Sequence, residues 1–423
     1  MNSYRDKSVL CVDHGLYIST ALRLARDFGK VGYHCAWKRG FPSFNEIDIG
    51  HNLDGITPEP NLFKVVDNYD LIVFPDILDG DLQVYLRKQG HRVYGSGMGE
   101  ELELFRVYQK RMFKAVGLPV GPYRVVKGIT ALREYLKAHD DKVIKLSLLR
   151  GITETFKHRT YWESEARIDR LQHELGMRKE RTEFVVEDEI KSKIEMGYDG
   201  PCVHGKFPAI AANGVEAKDA AYACIVQNYE DLPEEMREVN AALAHPLNLY
   251  GYSNFFSTEI RVAEDGTPYC IDITARKPSP AGETQEELWS NLAEMMWAGA
   301  AGDMVDPIPT AKYAVQSIIY SDWADENWQG VGFPEKFRNN VKLYYHTREN
   351  GHDYVIPQQT KMNEIGSIVT IGDDLKATIK ENKAIAEQVT GDKIRVCTDR
   401  IGEVVKEFDE MEKQGMDLTP ATV

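Results

Sequence analysis

The first hundred residues alternate between short apolar runs and helix-forming stretches, and this alternation constrains the fold more than any other feature. The runs SVLCVD, GYHCAW and LIVFPD (8–13, 32–37 and 71–76) have the composition of buried strands. Apolar residues recur at helical spacing over 18–28, and a second helix is predicted over 82–89. Strands that alternate with helices form a parallel sheet covered by those helices. The amino-terminal region is therefore predicted to be an α/β domain.

The ends of these strands are candidate ligand sites. Sheets of this class bind ligands at the carboxyl ends of their strands, here near Asp13-His14-Gly15 and Pro75-Asp76. The segment GSGMG (95–99) raises the alternative of a dinucleotide-dependent oxidoreductase. Its spacing is GxGxG, and no acid follows at the position where a ribose-binding residue would be expected, so a dinucleotide site is disfavoured.

The size and charge of the chain limit its organisation and its partners. At 423 residues it is longer than one hydrophobic core usually serves, so two or three domains are expected. The formal net charge of −15 disfavours direct binding of nucleic acid, because a basic patch would have to work against that field. Small anions can still be held by a few local cations and backbone amides.

The cysteines and the amino-terminal residues indicate the cellular compartment expected for the chain. Six cysteines are scattered along the chain without a CxxC pair, which is typical of a reduced intracellular protein and indicates neither disulfides nor a zinc site. The opening MNSYRDKSVLCVDHG carries charges where a signal peptide needs an apolar run. No stretch of about 18 apolar residues occurs. A cytoplasmic protein without a membrane partner is expected.

A predicted β-hairpin over 254–280 carries the acids of most interest. Its turn is Asp265-Gly266, with Glu259 on the first strand and Asp272 on the second. Antiparallel pairing can bring these two acids side by side, with their Cβ atoms roughly 5 Å apart. Two carboxylates so close repel each other unless a cation lies between them. The pair therefore predicts a Mg²⁺ ion that also binds nucleotide phosphates.

The second strand of the hairpin adds two polar groups on the face of Asp272. Thr274 can supply a neutral oxygen ligand, and the guanidinium of Arg276 can donate hydrogen bonds to a phosphate oxygen. The alternative is a half-exposed strand that runs into a turn and binds nothing. The hairpin alone leaves both interpretations open.

Two cations lie upstream of the hairpin. Arg106 belongs to a helix predicted over 102–116 and ended by Gly117-Leu-Pro119; a solvated helix face is the alternative interpretation of this arginine. Lys145 lies between apolar residues in the strand KVIKLS (142–147). Because an unpaired buried lysine is costly, an anionic partner is expected for it.

Acidic residues follow the predicted strand TEFVVEDEI (182–190). Carboxylates after a strand suit a hinge at which backbone groups read adenine and an acid holds the ribose hydroxyls. An acidic surface turn explains the same residues, and the sequence favours neither interpretation.

The order of these elements resembles the ATP-grasp superfamily of carboxylate–amine ligases, most nearly the phosphoribosylamine–glycine ligase type. The resemblance covers most of the chain, and 366–389 (GSIVTIGDDLKATIKENKAIAEQV) resembles the carboxyl-terminal domain of those ligases. The matching positions are Arg106 eleven residues before the Gly-Leu-Pro turn, Lys145 at the end of VIK, Glu187 in the hinge strand, Glu195 as the ribose acid, and Glu259, Asp272, Thr274 and Arg276 at the "E-x-N-x-R" signature.

The resemblance implies a fold of three domains. These are an α/β, Rossmann-like pre-ATP-grasp domain (1–98), a central ATP-grasp domain of two α+β lobes with the nucleotide and metal site (99–305), and a small carboxyl-terminal domain (306–423).

It also implies roles for single residues. The implied nucleotide-binding residues are Arg106, Lys145, Arg150, Glu187 and Glu195. The implied ligands of Mg²⁺, or of Mn²⁺, are Glu259, Asp272 and Thr274. Lys145 and Arg276 are implied to be catalytic.

The implied activity is an ATP-dependent ligation of a carboxylate to an amine through an acyl phosphate, with release of ADP and phosphate. The implied partners are ATP, a small carboxylate such as an amino acid, and a small amine. The implied assembly is a monomer or a homodimer. Candidates for recognising the two substrates are Asp13, His14, Arg150, Glu154 and Thr155.

The chain departs from the family pattern at several of these positions. The signature has Asp272 where Glu is usual and Thr274 where Asn is usual, and Arg106 stands where Lys is usual. The phosphate-covering loop, LLRGITETF (148–156), contains a single glycine, and VDHGLY (12–17) replaces the glycine-rich turn of the glycine ligases. These departures motivate the alternative of a non-catalytic ATP-binding regulatory protein with a degenerate site.

Overall fold

The structure is a computed structural model that describes residues 4–35, 49–147, 155–357 and 363–422. Its strands, in chain order, are β1 (Tyr4–Asp13), β2 (Phe28–Cys35), β3 (Ile56–Pro58), β4 (Leu71–Val73), β5 (Val93–Tyr94), β6 (Tyr123–Lys127), β7 (Lys142–Leu146), β8 (Thr155–His158), β9 (Glu183–Asp188), β10 (Ser192–Val203), β11 (Ile210–Ala217), β12 (Ala221–Asn228), β13 (Ser253–Ala263), β14 (Pro268–Thr274), β15 (Tyr313–Ser321), β16 (Gln329–Val331), β17 (Val341–Leu343), β18 (His346–Glu349), β19 (His352–Val355), β20 (Glu364–Gly372) and β21 (Ile394–Val396).

The helices of the described ranges are also given in chain order. They are α1 (Ile18–Leu24), α2 (Leu62–Val65), α3 (Gly80–Lys88), α4 (Glu101–Leu104), α5 (Arg106–Ala115), α6 (Ile129–Leu136), α7 (Tyr161–Leu175), α8 (Glu234–Leu249), α9 (Gly282–Leu288), α10 (Leu292–Gly299), α11 (Leu375–Ala386) and α12 (Ile401–Lys413). Within these ranges no helix combines the length and the apolar character needed to cross a bilayer.

The chain divides into two compact units that are not continuous in sequence. The first unit contains residues 1–99, 196–258 and 274–423, and the second contains 100–195 and 259–273. The division into three domains expected from the sequence stays a prediction.

A parallel sheet in the first unit has the strand order β3-β2-β1-β4-β5. The apolar run at the end of β1 pairs with both neighbours, so that Cys11 lies opposite Tyr33 on one side and Val73 on the other. Helix α1 packs Ile18 and Leu24 into the same core, where both are fully buried. The α/β architecture predicted for the amino-terminal region is confirmed.

The rest of the first unit is largely antiparallel. Here the strands follow the order β13-β10-β11-β12-β15-β20-β17, with β21 paired to β15, and a separate small sheet has the order β16-β19-β18. Helix α11 packs on β15 and β20 and buries Asn382, whose amide donates to Val315 O and Ile368 O. The segment 366–389, which resembles a carboxyl-terminal ligase domain, therefore contains most of β20 and the whole of α11.

The second unit contains an antiparallel sheet with the order β6-β9-β7-β8. Apolar residues of α6 and α7, including Leu132 and Ile168, pack on Ile144 and Phe184 of this sheet. The predicted hairpin also forms, as β13 and β14 joined through the turn Asp265-Gly266, where Ala263 N donates to Thr267 O at 3.0 Å, and its turn end (259–273) belongs to this unit. Gly266 has φ +83°, a conformation that glycine adopts without strain.

Two helical stretches are interrupted in the structure. The helix expected over 102–116 is divided at Phe105, whose backbone is extended, because Arg106 N donates to Ser147 Oγ at 3.1 Å. Helices α9 and α10 are likewise separated at Trp289, which is extended and bridges to Pro309. In both places a contact with a distant segment outweighs local helix propensity.

Candidate functional site

The second unit buries a cluster of opposite charges, which we call the charged cluster. Its members come from four elements: Arg106 and Lys110 from α5, Lys145 from β7, Glu187 from β9, and Asp272 from β14. The two helical cations lie one turn apart and so share a face. Lys145 pairs with Val185, two residues before Glu187, and this diagonal places the two charged side chains on one face of the sheet.

Arg106 and Asp272 form the central ion pair. The arginine is only 3% exposed, and its Nη1 donates to Asp272 Oδ1. Burial alone would raise the pKa of Asp272, but Arg106 and Lys145 hold it well below its ordinary range. The alternative of a solvated helix face for Arg106 is therefore wrong, and the arginine lies among the charged residues that the sequence singled out.

Lys145 is buried as predicted and has anionic partners. Its Nζ donates to the carbonyl of Ile271 and lies 3.7 Å from Glu187 Oε2 and 3.8 Å from Asp272 Oδ2. The expectation of an anionic partner for this lysine is confirmed, and its partners are carboxylates. The lysine thus lies between the carboxylates of β9 and β14.

Lys110 is a member of the cluster that the sequence interpretation missed. Its Nζ lies 2.6 Å from Glu187 Oε1, and burial together with the nearby Lys145 lowers its pKa although Glu187 opposes that shift. A signal was present in the sequence, because Lys110 follows Arg106 by four residues on the same helix.

Glu259 and Asp272 lie on the neighbouring strands β13 and β14. Burial opposes the charge of Arg106, but Asp272 and, to a smaller extent, Glu103 and Glu259 raise the pKa of this guanidinium. Both predicted metal acids therefore act on one arginine. Thr274 is the last residue of β14 and is half-buried.

The metal assignment stays a prediction for these three residues. Within the described ranges no group of three or more His, Cys, Asp or Glu side chains is placed to hold a metal ion. The predicted set contains two acids and one hydroxyl.

The charged cluster fits a magnesium nucleotide by its chemistry. Buried cations need anionic partners, and here carboxylates supply them. A bound triphosphate would offer phosphate oxygens to Arg106, Lys110 and Lys145 in place of those carboxylates. A Mg²⁺ ion would in turn neutralise the acids that the cations release.

The predicted nucleotide roles of Glu187, Glu195 and Arg150 stay predictions. Glu195 is 46% exposed on its side chain and pairs with Arg261 Nη2 at 2.5 Å. Glu187 directs its carboxylate to two lysines, so its place beside adenine stays a prediction, as does the ribose role of Glu195. Arg150 and Glu154 lie outside the described residues, and Thr155 begins β8.

Arg276 lies in the first unit, in the segment after β14. Its Nη1 donates to the hydroxyl of Tyr17 at 2.6 Å and to the carbonyl of Lys277 at 3.2 Å. Its Nε lies 3.9 Å from Asp76 Oδ1, just after strand β4. The guanidinium is thus held by residues from the ends of parallel strands, which the sequence did not reveal.

The segment GSGMG does not have the geometry of a dinucleotide site. The amide of Gly97 is not available to donate to a phosphate, because it donates to Gln83 Oε1 at 2.8 Å. Ser96 is fully buried and donates to the carbonyl of Ala275. A 3₁₀ turn over 97–100 follows, in place of the long helix whose amino terminus would bind a pyrophosphate.

Solved structures of ligases and carboxylases share this fold. Phosphoribosylamine–glycine ligase from Thermotoga maritima is 15% identical, with 92% of this chain and 98% of that chain covered at a TM-score of 0.69. The biotin carboxylase domain of the Hydrogenobacter thermophilus 2-oxoglutarate carboxylase, solved as a dimer with MgADP, ADP and bicarbonate, is 13% identical, with 98% and 99% covered at a TM-score of 0.66. L-amino acid ligase from Bacillus licheniformis is 16% identical, with 92% and 98% covered at a TM-score of 0.60.

No protein-family model and no curated protein matches the sequence. The likeness to the solved structures extends over nearly the whole chain at very low identity. It confirms, at the level of fold, the resemblance to ATP-grasp carboxylate–amine ligases that the sequence indicates.

Proposed function

We propose that the chain is an ATP-dependent ligase that joins a small carboxylate, such as an amino acid, to a small amine and releases ADP and phosphate. The observation that carries the proposal is the charged cluster, in which three buried cations converge on the acids of β9 and β14. Buried cations in such number suit a polyanionic ligand. The shared fold of ligases supports the same conclusion.

The first proposed step transfers the γ-phosphoryl group of ATP to the carboxylate substrate. A carboxylate oxygen attacks the γ-phosphorus, the bond to the β-phosphate oxygen breaks, and ADP leaves. Arg106, Lys110 and Lys145 would bind phosphate oxygens and oppose their negative charge. These side chains are already buried close together, and on binding ATP they would exchange their carboxylate partners for phosphate oxygens.

The second proposed step forms the carbon–nitrogen bond. The amine, as its free base, attacks the carbonyl carbon of the acyl phosphate, the bond to the phosphate oxygen breaks, and phosphate leaves with loss of one N–H proton. Arg276 is proposed to hold the acyl phosphate through its guanidinium, which Tyr17 orients. No protein nucleophile is required.

Glu259, Asp272 and Thr274 are the proposed ligands of Mg²⁺, for which Mn²⁺ could substitute. When bound, the ion would supply charge neutralisation for the phosphate oxygens. The oxygen donors of these three side chains are of the type that Mg²⁺ prefers. We further propose a cytoplasmic monomer or homodimer whose nucleotide site belongs to a central domain over 99–305.

Release of ADP in a substrate panel tests the proposed function. The purified chain is incubated with ATP and Mg²⁺, with single amino acids as carboxylates and with small primary amines, and ADP is measured by a coupled assay. We expect ADP release to depend on a matching pair of substrates and on Mg²⁺. Addition of ATP with Mg²⁺ should also raise the melting temperature, whereas NAD or NADP should leave it unchanged.

One observation favours a non-catalytic regulatory protein as the second candidate function. Asp272, a proposed metal ligand, is engaged by Arg106 in a buried ion pair. A regulator would bind ATP, shown by the rise in melting temperature, yet no substrate pair would stimulate ADP release. That combination of results would contradict the ligase and support the regulator.

Replacement of Lys110 tests its proposed contact with phosphate. In Lys110→Met we expect KM for ATP to rise about tenfold or more, because a hydrogen bond to a charged group contributes about 1.5–3 kcal/mol. Steady-state ADP release at varied ATP measures the effect. Lys114→Met, an exposed lysine one turn along the same helix, is the matched control and should keep the wild-type KM. An unchanged KM for ATP in Lys110→Met would show that this lysine does not bind the nucleotide.

A further inference from the structure

The tight turn after β10 carries a histidine and a lysine in the first unit. The backbones of Val203 and Lys206 exchange two hydrogen bonds across this turn, Val203 N to Lys206 O at 3.0 Å and Lys206 N to Val203 O at 2.9 Å. Between them, His204 has φ +49° and Gly205 has φ +73°, the two left-handed conformations of a type I′ turn. The ring of His204 lies against Gly302, where a Cβ atom would be 2.8 Å from Cε1. The turn thus fixes where the imidazole lies.

Arg87, in the last turn of α3, is a half-buried arginine that forms no ion pair within the described ranges. Its Nη2 donates to Gly95 O at 2.6 Å, and its Nε donates to Val93 O at 3.4 Å. Its Nη1 donates to no group of the same ranges and lies against Gly97, where a Cβ atom would be 2.7 Å from it. One part of the guanidinium is therefore held by carbonyls, and Nη1 keeps both of its N–H groups for a ligand.

Arg87, His204 and Lys206 form a group of cations that we call the basic site. Burial lowers the pKa of His204, and the charges of Arg87 and Lys206 lower it further. The two cations therefore lie close enough to act on the imidazole. Among the described groups that shift this pKa, Asp303 is the one acid, and it is exposed.

The basic site lacks the internal counter-charge that buried cations elsewhere in the chain have. Burial lowers the pKa of Arg87 to about 10, and no carboxylate of the described ranges offsets this loss of hydration. A partly buried guanidinium is stabilised by an anion that replaces the lost water. The net charge of the chain is −15, so this unpaired group of cations is a local positive spot in a negative field.

The donors of the basic site suit a phosphate group better than a carboxylate. A guanidinium donates in a planar fork that matches the oxygens of a phosphate. Lys206 is exposed and adds a mobile point charge, and protonated His204 adds a ring N–H. A phosphate group carries about −1.5 to −2 charges near neutral pH, so it can engage all three cations at once.

We propose that the basic site binds the phosphate group of a small molecule, either inorganic phosphate or a phosphate ester. Nη1 of Arg87 donates to the phosphate oxygens, and Lys206 and protonated His204 complete the contact. The three residues belong to the first unit, and the charged cluster belongs to the second. The proposal does not rest on the ligase function, because it concerns binding at residues that neither proposed step uses.

An NMR titration with sodium phosphate tests the basic site. The full chain is labelled with ¹³C at Cε1 of histidine, and the signal of His204 is identified by its loss in His204→Gln. Sodium chloride at the same ionic strength is the salt control. We expect a saturable shift of the His204 signal with phosphate, and a rise in the pKa of His204, because a bound anion favours the imidazolium.

Substitutions assign the contact to single residues. Arg87→Gln should weaken phosphate about tenfold, because a hydrogen bond to a charged group is lost. Lys206→Gln should weaken it about threefold, the scale of an exposed charge. Lys88→Gln, an exposed lysine next to Arg87 in the same helical turn, is the matched control and should bind phosphate as the wild type does.

Three results would overturn the proposal: no saturable shift, a shift that sodium chloride reproduces, or an unchanged affinity in a folded Arg87→Gln variant. If melting curves show that Arg87→Gln does not fold, an unchanged affinity in the exposed Lys206→Gln variant overturns it instead. Glycerol 2-phosphate in place of phosphate distinguishes the two sources. Tighter binding of this ester would indicate a phosphate ester as the ligand, and tighter binding of phosphate would indicate the free ion.

Discussion

Asp272→Asn is expected to reduce ADP formation on the order of 100-fold or more, the scale on which a charge-stabilising group at a reacting centre contributes. The substitution keeps the shape of the side chain but removes the carboxylate proposed to bind Mg²⁺. It also removes the counter-ion of Arg106, which is 3% exposed. Initial rates of ADP release under saturating ATP, with Mg²⁺ in excess, measure the effect.

Loss of the Arg106 counter-ion is expected to cost stability as well, about 3 to 5 kcal/mol for a broken buried pair. A double variant separates the two effects. Arg106→Gln combined with Asp272→Asn leaves two neutral amides that can hydrogen-bond, so we expect it to recover much of the free energy of unfolding and none of the activity. Glu264→Gln, at an exposed position near the hairpin turn, is the control. A fully active Asp272→Asn variant would show that the metal assignment is wrong.

Glu286→Gln is expected to destabilise the fold by about 3 to 5 kcal/mol. Glu286 and Lys277 are each 1% exposed and lie 2.5 Å apart, and Lys342 lies 3.2 Å from the other carboxylate oxygen. Ser19 and Thr20 donate hydroxyl hydrogen bonds to the same group at 2.9 and 3.0 Å. The neutral amide would leave Lys277 its hydrogen bond to Thr20 Oγ1 at 3.0 Å but would remove its negatively charged partner. Urea unfolding measures the change.

The dependence of this effect on pH provides a second measurement. Burial alone would raise the pKa of Glu286, but Lys277 and Lys342 lower it from 4.5 to about 2. Because the pKa is depressed in the folded chain, the stabilisation is present above pH 4.5 and is lost as pH falls toward 2. The difference in unfolding free energy between wild type and Glu286→Gln should shrink over that interval. Glu381→Gln, an exposed acid of α11, should show no such difference at any pH.

Much of the fold is predictable from the sequence because the strands of the first sheet are continuous apolar runs. The run 8–13 lies within β1, and 71–73 forms β4, as the pattern indicates. The division of the helix at Phe105 is not predictable in this way. It depends on a hydrogen bond from Arg106 N to Ser147, which is 41 residues away in the chain.

The candidate site was predictable where burial itself implies a partner. Lys145 lies in an apolar strand, so an anionic partner could be inferred, although Glu187 and Asp272 could not be named by this argument. For Arg106 the local pattern was misleading. A basic helix usually faces solvent, and the residue that pairs with Arg106 comes 166 positions later. Such pairings become visible only when the chain is folded.

The second unit is assembled from two stretches, 100–195 and 259–273, so it can be neither expressed nor exchanged between genes as one continuous segment. A gene fragment for the first stretch alone would encode Arg106 and Lys145 without Asp272. Two buried cations would then lack the acid that both of them approach. Recombination could not transfer this unit as one continuous segment. An exchange that omitted the fifteen residues 259–273 would leave the buried cations of the cluster without Asp272.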